Sequence, residues 1–217
     1  MLTVDGVMAD GSVIDSCVST YPLDCYTCLR DCAPIGLLQL DDDDPVASRA
    51  RAYLEALVAA LPCASLTTCF HCELFDSASR GMMLCEIASR TGGGRIQDMF
   101  RHSRGVDLTQ WAALGQAGVD PVGVIAPPAR SRMLTAFALF PSPGGVLIDA
   151  PKAPAPSAVI DYHVYTRCGD YMPRWKRVSE YAVDALIGAD TRGALELAYR
   201  DTLEWVESGL VWARDAV

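Results

Sequence analysis

The stretch TTCFHCELFDSASRGMMLCEIASRTGGGRI, residues 67–96, holds two alternating runs separated by a turn-rich break. In an extended strand successive side chains point to opposite faces. On that period Cys69, His71 and Glu73 share one face of the first run, while Phe70, Cys72 and Leu74 share the other. In the second run Leu84, Glu86, Ala88 and Arg90 fall on one face. Paired as neighbours, the two runs place Glu73 and Glu86 side by side. Two adjacent carboxylates repel, and one pKa rises as a result. A bound dication relieves that repulsion, and a cation pair also grips a polyphosphate. Arg90 adds a planar donor fork suited to phosphate or carboxylate. Gly92, Gly93 and Gly94 then allow backbone amides to approach a ligand at a helix N-terminus. The same three charged residues also make an ordinary salt-bridge network on a solvated sheet face. Spacing alone leaves both readings open.

Working outward, residues 3–7 and 12–20 alternate around Asp10-Gly11, which predicts a hairpin. Residues 21–44 read as loop. Asp44 and Pro45 open a helix running to about residue 60, with Val46, Ala50, Tyr53, Leu54, Leu57 and Val58 on one face. Strands are expected at 66–75 and 81–89, then a helix carrying Ile96, Met99 and Phe100, then one carrying Leu108, Trp111 and Leu114. Residues 121–130, with Pro127-Pro128, read as a crossing between subdomains. A second hairpin is expected at 134–140 and 146–149, further strands at 158–167 and 177–187, and a closing helix from about residue 192. The pattern is α+β: an antiparallel sheet flanked by helices.

Composition sets limits. The 217 residues carry a formal net charge of -9 and 51% hydrophobic residues. This is a globular composition, and its field repels nucleic acid and anionic membrane surfaces. No apolar run reaches the roughly 18 residues of a membrane span, and no signal peptide is visible. A cytoplasmic protein is therefore expected. The nine cysteines then read as reduced thiols. Cys25, Cys28 and Cys32, with Cys63, Cys69 or Cys72 as a fourth, compose an alternative thiolate metal site. His71 reads as a packed or hydrogen-bonded histidine, and neither His102 nor His163 has an evident partner.

The order of hairpin, capped helix, FHCELF strand, CEIASR strand and glycine loop resembles the C-terminal half of an ATP-grasp ligase; the resemblance implies a division into 1–125, the metal- and phosphate-binding subdomain, and 126–217, a small β-rich C-terminal lobe. The resemblance implies that Glu73 and Glu86 are magnesium ligands bridging ATP phosphates, and that Arg90 steadies the transferred phosphoryl group. Gly92, Gly93 and Gly94 join them in the nucleotide site. It implies an ATP- and Mg-dependent activation of a small carboxylate as an acyl phosphate, which an amine or thiol then attacks. Ala88 departs from the family pattern, where many members carry a metal-binding asparagine. Relatives of this kind are about twice as long, and here no lysine precedes Lys152. A separately encoded N-terminal half is the expected partner, meeting an apolar patch at the first hairpin. The alternative is a diverged, non-catalytic remnant that binds a ligand or partner.

Overall fold

The computed structural model describes residues 1–62, 67–121, 133–152 and 154–213. Cys63, Leu66 and most of the expected crossing at 121–130 lie outside them. The chain runs β1 (Leu2–Ala9), β2 (Ser12–Thr20), α1 (Cys25–Asp31), β3 (Ile35–Gln39), α2 (Pro45–Ala60), β4 (Thr68–Ser77) and β5 (Gly81–Ala88). It continues with α3 (Ile96–Arg104), α4 (Leu108–Gln116), β6 (Leu134–Pro141), β7 (Gly145–Asp149), β8 (Val159–Val164) and β9 (Tyr171–Met172). β10 (Tyr181–Ala189), α5 (Arg192–Gly209) and β11 (Val211–Ala213) close it. Every pairing whose register is described is antiparallel, so the class is α+β with helices flanking antiparallel strands. Among the described residues no helix is long and apolar enough to cross a membrane.

Two compact units divide the chain: Met1–Thr20 with Gln39–Leu134, and Tyr21–Leu38 with Thr135–Val217. In the first, the strand order is β5-β4-β1-β2. Asp10 and Gly11 both take positive φ, 48° and 73°, which closes the β1–β2 hairpin with the twist such turns require. Leu2, Val4, Val18, Phe70, Cys72 and Leu74 form one sheet face and bury Ala47, Ala50, Leu54 and Val58 of α2. Each fully buried Leu or Val there contributes about 1.5–3 kcal/mol. Asp44 starts that helix, accepting from the Val46 amide at 2.7 Å, and Pro45 occupies the first turn. At one end of the opposite face, Val7, Cys17 and Cys69 pack with Phe100, Leu108 and Trp111 of α3 and α4. The hairpin's apolar side chains are thus mostly covered, and Ile14, 44% exposed, is its one large exposed hydrophobic. Among the described residues the hairpin does not carry the expected apolar patch.

In the second unit, β3 pairs with β6, β6 neighbours β10, and β10 pairs with the edge strand β8. The loop expected over 21–44 is instead a helix and a strand. Asp24 caps α1 by accepting from the Thr27 amide at 2.9 Å. The run IGLLQ is buried throughout, and such a strand shows no alternation to read. Gly36 is required in it, because an added Cβ would lie 1.9 Å from the Tyr199 hydroxyl of α5. The hairpin expected around residues 141–145 does not form. β7 joins a separate small sheet between β11 and β9, while β6 pairs with β3.

Candidate functional site

The face of the first sheet away from α2 carries two transverse rows of residues. One runs Ser19–Thr3–Glu73–Glu86 across β2, β1, β4 and β5. The next runs Cys17–Asp5–His71–Ala88 across the same strands. Glu73 and Glu86 are therefore directly opposite each other on adjacent antiparallel strands, on one face. Like charges so placed destabilise a sheet unless something compensates them.

The register contains an irregularity at this point. Glu73 pairs with Glu86 but Leu74 pairs with Leu84, so Cys85 is an extra residue in β5. Leu74 belongs to the apolar face, which places Leu84 there as well. The expectation that Leu84 and Glu86 share a face is corrected: the bulge moves Glu86 and Ala88 to the polar side. The Cys85 thiol is exposed and hydrogen-bonds Glu73, and its pKa is raised by partial burial and by the two glutamates.

His71 sits deeper. Its Nδ1 lies 2.7 Å from Asp5 Oδ1 and its Nε2 3.7 Å from Glu73 Oε1. The side chains of His71, Asp5 and Glu73 are 6%, 4% and 16% exposed. Burial opposes protonation of the imidazole, but the bonds and charges of Asp5 and Glu73 outweigh it and lift the pKa to about 9. Thr3 Oγ1, in the same row as Glu73, is buried without a hydrogen-bond partner.

Arg90 lies just beyond β5 and is exposed. Its Nη2 is 3.5 Å from Glu86 Oε1, and its Nη1 donates to the Thr91 carbonyl at 2.9 Å. Both members of the Glu86–Arg90 pair are more than half exposed, so the pair itself adds little stability. The three glycines differ from one another. Gly92 is buried, and a Cβ there would lie 2.7 Å from Asp5 Oδ1 and 2.9 Å from His71 Nδ1. Gly93 faces open space, and Gly94 has φ 61°. They lead into α3, whose first turn has no side-chain cap. At the other end of α3, buried Arg104 donates to Cys17 Sγ (3.0 Å), Asp42 Oδ2 (2.6 Å) and the Ser16 carbonyl (3.1 Å). That network fixes the helix after the glycine loop against β2.

The eight cysteines among the described residues are free thiols, with Cys17, Cys28, Cys69 and Cys72 buried. Cys28 donates to the Leu23 and Pro34 carbonyls and burial pushes its pKa to about 11, and Cys32 donates to the Ser142 carbonyl. Among the described residues no three His, Cys, Asp or Glu side chains gather as a ready cation cage. His163, expected to lack a partner, stands 3.2 Å from Asp184 and 3.5 Å from Asp161. The sequence reading missed Asp5, Thr3 and Ser19. The alternation of TVDGV already put Thr3 and Asp5 on one face of β1; what was missing was which strand lies beside it.

No family model and no curated protein matches the sequence. Solved structures do match the fold. A phosphoribosylglycinamide synthetase from Anaerococcus prevotii superposes with a TM-score of 0.73 at 9% identity, over 99% of this chain and 53% of its own. An L-amino acid ligase from Bacillus licheniformis also gives 0.73, at 13% identity, over 98% and 52%. The fold is that of the ATP-grasp ligases. A third ATP-grasp match is the biotin carboxylase domain of a Hydrogenobacter thermophilus 2-oxoglutarate carboxylase, in complex with MgADP, ADP and bicarbonate. It gives 0.62 at 12% identity, over 97% and 46%. The chain spans about half the length of these ATP-grasp structures.

The residues of the polar face fit a nucleotide-bound cation. Two carboxylates stand directly opposite each other, and the orphaned Thr3 hydroxyl neighbours Glu73 in the register. With two protein carboxylates at hand, phosphate oxygens and water would complete the coordination, as hard dications at phosphate sites prefer.

Proposed function

We propose that the chain is the cation- and phosphate-binding portion of an ATP-dependent ligase, one that activates a small carboxylate as an acyl phosphate for attack by an amine or thiol. The observation that carries this reading is the direct opposition of Glu73 and Glu86 on the polar face of an ATP-grasp fold. Magnesium held there would neutralise charge on the transferring phosphoryl group. Glu73 and Glu86 bind the cation and so set where the triphosphate lies. Arg90, exposed at the rim beside Glu86, presents its guanidinium to the transferred group or to the acyl phosphate. Gly93 leaves space open before the N-terminus of α3, which has no side-chain cap and where backbone amides favour an anion, and Gly94 turns the chain into it with a positive φ. Residues 1–125, apart from the 21–38 segment that belongs to the second unit, act as the nucleotide subdomain and 126–217 as the accompanying lobe, in the cytoplasm. No lysine precedes Lys152, so any lysine contact to the phosphates lies outside residues 1–151.

A second reading has its own observation. Ala88 stands opposite His71 on the polar face and offers no metal-binding atom. On this reading the chain is a diverged ATP-grasp remnant that binds a ligand or partner without turnover.

Calorimetry with ATP, in Mg2+ and in EDTA, tests the first reading on the wild-type chain and on Glu73→Gln/Glu86→Gln. A weak Mg2+-dependent heat that the double substitution removes is expected. Equal heats in the variant, or in EDTA, would sink it. Acyl-phosphate formation after adding an N-terminal half separates ligase from remnant.

A further inference from the structure

We propose that His71 is the positioning residue of this site: Asp5 anchors one ring nitrogen, and the other holds the Glu73 carboxylate in the pose that receives the cation. The inference rests on the reading of Glu73 and Glu86 as cation ligands.

The geometry separates the two glutamates. Glu86 is half exposed, sits next to the bulged Cys85, and leans toward Arg90 at the surface. Glu73 is mostly buried and lies beside an imidazole that cannot move freely. The ring is hydrogen-bonded to Asp5 at one nitrogen, at 2.7 Å, and faces Glu73 as an ion-pair partner at the other, at 3.7 Å, so turning it forfeits both contacts together. Its anchor is equally fixed. Asp5 lies between Cys17 and His71 in the strand register, and Gly92 closes against Asp5 Oδ1 and His71 Nδ1 so tightly that no Cβ fits. The chain of contact therefore runs from the glycine loop through Asp5 and His71 to Glu73. Directly across β5 from His71 is Ala88, which has no polar atom to reach the ring. A ligand held in place before binding loses less freedom when the cation arrives, and residues behind metal ligands typically change affinity 10- to 100-fold when removed.

The competing role is purely structural: His71 would only satisfy the buried Asp5. Two substitutions divide these roles, because the amide of Asn reaches the place of Nδ1 and that of Gln the place of Nε2. His71→Asn keeps the partner of Asp5 and releases Glu73; His71→Gln keeps a donor at Glu73 and releases Asp5. Binding of Mn2+ in its complex with ATP is read by electron paramagnetic resonance, with urea midpoints confirming that both variants are folded. His71→Asn is expected to weaken Mn2+ binding about tenfold. His71→Gln is expected to stay within about threefold of wild type while being the less stable of the two. Wild-type affinity in His71→Asn, or equal losses in both variants, overturns the positioning role and leaves the cation reading standing. A wild-type chain whose Mn2+ binding is absent or indifferent to Glu73→Gln overturns the cation reading itself, and the inference with it.

Discussion

Two histidines in this molecule stand directly across a strand pair from a buried aspartate: His71 opposite Asp5 in the first unit, and His163 opposite Asp184 in the second. The contacts look alike on paper, at 2.7 Å and 3.2 Å. In each case the second ring nitrogen meets another carboxylate, Glu73 or Asp161. The surroundings differ. His71 is shut away with its partner, whereas the side chain of His163 is 50% exposed on the edge strand β8. Asp184 also has a second donor, the Tyr165 hydroxyl at 2.6 Å, so it does not depend on its histidine. Water screens an exposed pair and leaves it worth little, while a buried charge stripped of its partner is costly. The same pair of residue types is a surface contact in one unit and a structural keystone in the other.

The largest test of that contrast is truncation. His71→Ala leaves Asp5 buried and unpaired, and should cost about 3–5 kcal/mol in urea unfolding. His163→Ala leaves Asp184 bonded to Tyr165, and should cost about 1 kcal/mol or less. Similar losses in both variants would dissolve the comparison.

The next test is pH, in metal-free buffer. The folded-state pKa of His71 is about 9, above its ordinary value of 6.5, so the folded chain holds this proton more tightly than the unfolded one. Its contribution is complete below about pH 6.5 and is lost as pH rises through about 9, on the order of 3 kcal/mol in all. Urea midpoints of the wild type should fall over that window, and those of His71→Gln should stay flatter. A parallel fall in both would assign the dependence to other groups.

The smallest effect sharpens the picture without touching either histidine. Gly92→Ala drives a methyl against Asp5 and His71 and should cost about 1–3 kcal/mol, whereas Gly93→Ala, with nothing near its Cβ, should stay within about 0.5 kcal/mol. Equal midpoints would mean that the loop yields and that Gly92 does not brace the pair.

Much of the site was legible because its signals are local. FHCEL and the alternation after Gly81 put Glu73 and Glu86 within one hairpin, and a short turn leaves few ways to pair them. The bulge was not legible. Nothing in MMLCEIA says that Cys85 is the extra residue, because an inserted residue is visible only against its partner strand. The partners of His71 and His163 were out of reach for a related reason: Asp5 is 66 residues from His71, and Asp184 is 21 residues from His163.

The sequence by itself determined the strand phase of β1, β4 and β2, the cap and first turn of α2 at Asp44 and Pro45, and the turn at Asp10-Gly11. Each follows from backbone geometry over a few residues, where the period of two, the fixed φ of proline and the freedom of glycine act without outside help. Only the tertiary structure decided that β1 lies beside β4, that β7 leaves β6 for another sheet, and that IGLLQ is a buried strand. Strand pairing joins backbone groups far apart in the chain, and the choice among partners is made by the core they bury together. Asp5, a plain polar residue in the sequence, becomes the anchor of the site only once β4 is laid against it.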